Sequence, residues 1–422
     1  MDAFPPKPRR AAWGLAVLVL VSLALLLLPP VRQRVAWHVT QWRSQLYYAL
    51  HPPEEAVFVP QRAAHARPSP IPPAVHTPLP SPTPPPTPTP IVTPTPRPAA
   101  VFWPPPQHEY QDWNNCAPAT LSMALAFWGW EGDQYTLAAW LKPNPRDKNV
   151  MPAEMEAAVL RHTRFMALMR PAGDLDLLRS LIAAGFPVVV EKGFEPNADD
   201  GWMGHYLLVW GYDDAKATFY AHDSYQGPEQ AIAYDQLQRE WRAFNFIYLV
   251  VYPPERDGEV RRLLGQWADP TAAWQAAAQR AAAETRSLSG RDAVFAWFNL
   301  GESLVALGDA AAAAQAFDQA FTLLAALPPA LRPWRWMWYH QGPYQAYDAV
   351  GRYDDVIQLA TTTLKAMSEP VLEEAYYWRG RAYAAQGNYD AARADFQRAL
   401  EAHPGYPPAQ AALEALEATD TP

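Results

Sequence analysis

Cysteine is nearly absent: the 422 residues contain one thiol, Cys116. A single cysteine forms no internal disulfide and offers none of the zinc spacings built on paired cysteines, so packing must supply the stability. Basic residues are also short, with 34 Lys and Arg against 43 Asp and Glu. The formal charge of -9 leaves no phosphate-tracking face, and nucleic acid is not an expected partner. Disorder throughout is excluded by a composition of 50% hydrophobic and 13% aromatic residues, enough for several cores over two or three domains.

What is present is strongly partitioned along the chain. After a short N-terminus, residues 1–10, Ala11 to Leu28 carry no charge and Pro29-Pro30-Val31 extend the run, long enough to cross a hydrocarbon core of roughly 30 Å. Residues 11–31 are expected to be an uncleaved transmembrane anchor, because the run meets Pro29-Pro30 without a small-x-small cleavage site. Residues 32–67 read as a juxtamembrane helix and linker containing Trp37, Trp42, Tyr47 and Tyr48. Residues 68–106 are rich in Pro and Thr, an extended, disordered stalk. Basic residues flank the apolar run on both sides, so they do not orient it. The stalk favours a single-pass protein of the cell membrane, N-terminus cytoplasmic and folded domains extracytoplasmic.

From 107 to 254 the pattern is mixed α and β. Apolar residues at helical spacing run from Ala117 to Trp128, which puts Cys116 at a helix N-terminus. Leu175–Ala184 reads as a second helix, and Phe186–Val190, His205–Trp210, Ala217–Ala221 and Phe246–Val251 read as strands, with a hairpin turn over 211–216. From 258 to 422 the chain is Ala- and Leu-rich. Trp297, Leu300, Gly301, Leu304, Gly308, Ala313, Phe317 and Ala320 fit the tetratricopeptide pattern of paired helices, and Gly380, Tyr383, Gly387, Tyr389, Ala392, Phe396, Ala399 and Pro404 fit it again. A looser copy holds Tyr344, Tyr347, Gly351, Tyr353 and Val356, with an inserted segment.

A helix N-terminus favours the thiolate form of cysteine, and nucleophilic catalysis would further require an imidazole, a group to orient it and oxyanion donors. Gln111 lies just upstream, His205 opens a strand, and Asp223 follows the returning strand. The segments QDWNNCAPATLSMAL, GHYLLVWGYDD and YAHDSYQG resemble the papain-like C-39-like cysteine peptidases of the bacteriocin-processing type, over roughly Gln107 to Pro254. The resemblance implies an α+β papain-like domain with Cys116 as nucleophile, His205 as general base, Asp223 as its orienter and Gln111 as oxyanion donor. Two positions depart from the family: Ala117 stands where Gly is usual, and Ser224 where Pro is common. Nothing in the chain resembles the transporter parts of that family, so the double-glycine leader substrate is not inferred.

Taken together, the expected architecture is multidomain: anchor, Pro-rich linker, peptidase domain and an all-α repeat domain. The expected partners are a peptide or protein substrate, a protein on the repeats, and the membrane through one helix. No organic cofactor or metal is called for. Trp113, Asn115, Ala117, Trp202 and Met203 are candidates for the substrate cleft, though each is equally a packing residue. His222 is expected to be structural, and His108 and His162 show no partner pattern. The aromatic stretch from Arg332 to Tyr344 is expected to fill helix interfaces, with a ligand-docking face as the functional version. A catalytically inactive peptide-binding adaptor is the alternative for the whole.

Overall fold

The computed structural model describes residues 29–53, 57–61, 97–196 and 201–420. The expected anchor, apart from its last three residues, and most of the Pro/Thr stalk lie outside the described residues. No helix among the described residues is long and apolar enough to cross a membrane. The first described element, helix α1 (Pro29–Leu50), follows directly on the apolar run.

The mixed domain is built on seven strands: β1 (Ala100–Phe102), β2 (Met166–Arg170), β3 (Val188–Phe194), β4 (Met203–Asp213), β5 (Thr218–Asp223), β6 (Gly227–Ala233) and β7 (Tyr248–Tyr252). All pairings are antiparallel, in the order β2-β7-β3-β4-β5-β6, with β1 added to the far end of β4. Two helical layers cover the sheet. Tyr206 and Leu208 of β4 pack with helix α2 (Cys116–Ala126), α3 (Gln134–Leu141) and α4 (Pro152–His162). Leu207 and Val209 pack instead with α5 (Leu175–Ala183) and α6 (Tyr234–Trp241), as the two-residue period of a strand demands. Helix α2 is buried from Ala117 to Leu125, which suits its apolar composition on every side.

Three boundaries differ from the sequence reading. The stalk ends by residue 97, because Arg97 binds Asp176 at 2.9 Å, the Tyr212 hydroxyl donates to Pro98 O, and β1 completes the sheet. Helix α7 (Asp257–Leu264), expected in the repeat domain, inserts Val260 and Leu264 into the core of the mixed domain. The β4–β5 turn falls at 214–217 rather than 211–216, with Ala217 left-handed at φ 48°. Strands β1, β2 and β6 had no sequence signal strong enough to separate them from loop.

The remaining helices are α8 (Pro270–Ser287), α9 (Gly290–Ala306), α10 (Ala310–Ala326), α11 (Gly342–Ala349), α12 (Tyr353–Lys365), α13 (Glu373–Ala385), α14 (Tyr389–Ala402) and α15 (Pro407–Asp420). Pairs α9–α10, α11–α12 and α13–α14 correspond to the three repeat patterns. A Cβ on Gly301 or Gly380 would lie 2.5 or 2.7 Å from the rings of Phe317 and Phe396, so these glycines let paired helices touch.

The inserted segment after α10 is where the two domains meet. Trp336 stacks on Trp202 at 5.1 Å and on Phe295 at 4.2 Å, and Arg335 donates to Trp202 O at 3.0 Å. Trp202, Ala243 and Phe244 of the mixed domain therefore belong to the same buried cluster as the repeat core. Phe58 enters that core too, against Phe321, so the chain preceding the stalk is docked on the repeats. Trp336→Ala is expected to cost about 3–5 kcal/mol, as for other large aromatic truncations in cores. Urea unfolding checks this, and an unchanged midpoint would mean the domains do not depend on the contact.

Candidate active site

Cys116 is the first residue of α2, and the loop before it is tightly cross-linked. Asn114 adopts a left-handed φ of 53°, which turns the chain into the helix. The buried Gln134 side chain accepts from Asp112 N and Asn115 Nδ2, both at 2.8 Å, and donates to Tyr110 O. Lys142 Nζ caps Asn114 O at 2.7 Å. The thiol itself is only partly buried.

The partner groups arrive through strand register. Asp223 lies opposite Leu207 in the β4–β5 ladder, so His205, two residues before Leu207, is its diagonal neighbour on the same face. His205 Nε2 and Asp223 Oδ1 are 2.8 Å apart. This leaves Nδ1 unengaged by Asp223, and His205 and Cys116 line the same cavity. Burial opposes protonation of His205, but the Asp223 charge and hydrogen bond, with Cys116, outweigh it and lift the imidazole to about 9. Burial likewise opposes ionisation of Asp223, yet His205 and the backbone N–H groups of Gln226 and Tyr225 hold it at about 2. Phe194 stacks on the imidazole at 4.7 Å and shields the pair from water.

Gln111 is fixed from both ends. Its N–H donates to Ser224 O at 2.9 Å, and the Ser224 hydroxyl donates to Gln111 Oε1 at 2.9 Å. With its oxygen occupied, the side chain has its NH2 left to donate within the cavity that Gln111 and Cys116 both line. The serine at a position where proline is common therefore orients the amide. In the sequence, Ser224 stood out only as a departure.

The cavity has three walls. Gln111, Trp113, Cys116, Met203, His205 and Tyr225 come from the mixed domain; Arg335, Trp338 and Tyr339 come from the insertion in the repeats. Trp37, Gln41, Ser44, Gln45 and Tyr48 of α1 form the third, with Trp37 against Trp113 at 5.9 Å. The aromatic stretch from Arg332 to Tyr344, whose functional reading is a ligand-docking face, supplies the second wall, while no sequence signal placed α1 at the cleft. Of the five cleft candidates, Trp113 and Met203 line this cavity. Ala117 does not: its methyl is buried in the core beneath α2. Asn115 is buried against Gln134, and Trp202 is consumed by the domain interface. Gly204, just before His205, is in close contact with the Tyr339 and Phe244 rings, where a Cβ would lie 2.9 and 2.6 Å away.

His222, His108 and His162 have structural partners. His222 is held by Pro106 O at 2.9 Å and Glu229 N, and burial lowers its affinity for protons. His108 is within 2.9 Å of Asp223 O, and His162 stacks on Trp140.

Residues 102–249 match the Peptidase_C39 like family, and residues 296–323 and 373–406 match tetratricopeptide repeat families. No curated protein matches the chain. Among solved structures the chain is similar to one from Bacillus anthracis described as a C39-like peptidase, at 15% identity. That match spans 33% of this chain and 88% of the other, with a TM-score of 0.27. The chain thus joins a domain of the C39-like peptidase family to a set of tetratricopeptide repeats.

Proposed function

We propose that this protein is a membrane-anchored, extracytoplasmic cysteine peptidase that hydrolyses peptide bonds, with its repeats engaging a protein or peptide partner. The observation that carries the reading is the His205–Asp223 pair in the cavity lined by Cys116, beside a Gln111 amide whose oxygen is already held by Ser224. Cys116 Sγ would attack the scissile carbonyl, while Gln111 Nε2 and the Cys116 N–H stabilise the oxyanion. His205 would give its proton to the leaving amine as the C–N bond breaks, then take one from the water that opens the thioester. Asp223 holds the imidazole orientation throughout.

Membrane attachment is supported by the uncharged run from Ala11 to Leu28, which leads straight into α1. Helix α1 also has an outward stripe of exposed Val35, Val39, Trp42, Leu46 and Leu50, at spacings that place them on one face. Carbonate washing of membranes should leave the full chain in the pellet, and release into the supernatant would count against the anchor.

A second reading, a peptide-binding adaptor without turnover, is favoured by one feature: α1 side chains lie over the cleft. Labelling of the full chain by a peptide-like electrophile, followed by intact mass, separates the two. Labelling is expected to vanish in Cys116→Ala and to slow by roughly 100-fold or more in His205→Ala. Trp37→Ala is expected to speed it, since that ring covers the approach beside Trp113. Labelling that is slow and indifferent to both His205 and Trp37 favours the adaptor.

With a substrate in hand, Gln111→Ala is expected to lower kcat by roughly 10²–10³-fold. Ser224→Ala, which only frees the amide, should lower kcat less and leave KM unchanged; a KM effect alone would refute the orienting role.

The charge states also predict a stability profile. The raised imidazole contributes stability that is complete below its ordinary 6.5 and is lost as pH rises through about 9. The lowered carboxyl contributes stability that is complete above its ordinary 3.8 and is lost as pH falls through about 2. Urea midpoints measured across these windows should decline at both ends, and Asp223→Asn should flatten the profile.

A further inference from the structure

A second group of ionisable side chains gathers where the mixed domain meets the last repeat. Asp147 stands in the loop between α3 and α4, Glu373 opens α13, and His403 follows α14. One ligand atom from each lies within 4.8 Å of the others. Asp147 and Glu373 are each only 3% exposed. Glu374, 7% exposed, and Glu154 add further negative charge to the same site.

The cations within reach do not satisfy these acids. His403 Nδ1 meets Glu373 Oε1 at 2.7 Å, yet Glu373 Oε2 is buried with no hydrogen-bond partner. Gln341 donates to Glu374 Oε1 at 3.3 Å, and Glu374 Oε2 is again buried and unpartnered. Lys142 and Lys148 lie near Asp147, but Lys142 Nζ is committed to Asn114 O. Burying two carboxyl groups, each with a bare oxygen, is costly unless they are paired or coordinate a metal.

We propose that Asp147, Glu373 and His403 form a divalent-cation site that clamps the peptidase domain to the repeats. Two carboxylates and one imidazole suit a first-row ion such as Zn²⁺ or Mn²⁺, with Glu374 beside them to balance charge. Ligation at about 2.0–2.2 Å requires the side chains to turn inward and exchange the Glu373–His403 bond for two bonds to the ion. The clamp also reaches the nucleophile loop: Asn114 Nδ2 donates to Asp147 O at 3.2 Å, and Asn114 is two residues before Cys116. The site is independent of whether Cys116 turns over substrate.

The test uses the full chain carrying Cys116→Ala, so that the thiol cannot take the ion, stripped with a chelator and titrated with Zn²⁺ by calorimetry and with Mn²⁺ by electron paramagnetic resonance. The expected result is one ion per chain, with affinity reduced roughly 10- to 100-fold or more by Asp147→Asn and by Glu373→Gln. Circular dichroism checks that both variants fold. A stripped parent chain that takes up neither ion at one per chain overturns the proposal without recourse to the variants. Folded variants that bind as tightly as the parent overturn it as well.

Discussion

Strand β4 is the constraint on which the rest of the molecule depends. It is buried on both faces, with Leu207 and Val209 in one layer and Tyr206 and Leu208 in the other, so a slip of one residue would exchange two cores that are not interchangeable. Its pairing with β5 is therefore fixed, and with it the diagonal that brings Asp223 to His205. The same strand begins with Met203 and Gly204, which meet the cavity and the Tyr339 ring. One element thereby sets both the charge pair and the docking of the repeats.

The repeat domain is consequently part of the cleft rather than a separate module behind it. Trp336 packs into a stack shared with Trp202, Phe244 and Phe295, and this anchors the segment that presents Arg335, Trp338 and Tyr339 to the cavity. The aromatic stretch from Arg332 to Tyr344 does fill interfaces: Trp336 packs between the domains, and Tyr344 packs between paired helices, its hydroxyl donating to Thr363 Oγ1 at 3.2 Å. A partner on the repeats would have to use other faces. Helix α1 closes the remaining side through residues at helical spacing, leaving its apolar face turned away from the body.

Departures from the family pattern acquire local explanations from these contacts. Ala117 is buried under α2 and does not reach the cavity, so its methyl cannot crowd a substrate lying there. Ser224 supplies a hydroxyl that proline would lack, and that hydroxyl holds Gln111. Neither could be judged from the sequence, where only the substitution was visible.

Sequence alone determined what local physics controls. The helix beginning at Cys116, the two-residue alternation of β4, and the glycine–phenylalanine pairing of Gly301 with Phe317 and Gly380 with Phe396 are all set by periodicity and close packing within short spans. Cys116, His205 and Asp223 stood out because each sits in an element with a clear period, whereas Gln111, in the loop before α2, was marked only by its distance from Cys116 and by the family resemblance. Tertiary structure decided what those residues face. The walls from Trp37, Tyr48, Arg335 and Tyr339, the Ser224–Gln111 bond, the loss of Trp202 to an interface, and the gathering of Asp147, Glu373 and His403 join segments far apart in the chain. Such contacts leave no mark on local hydrophobic pattern, because burial and charge pairing depend on which surfaces meet once each element has formed.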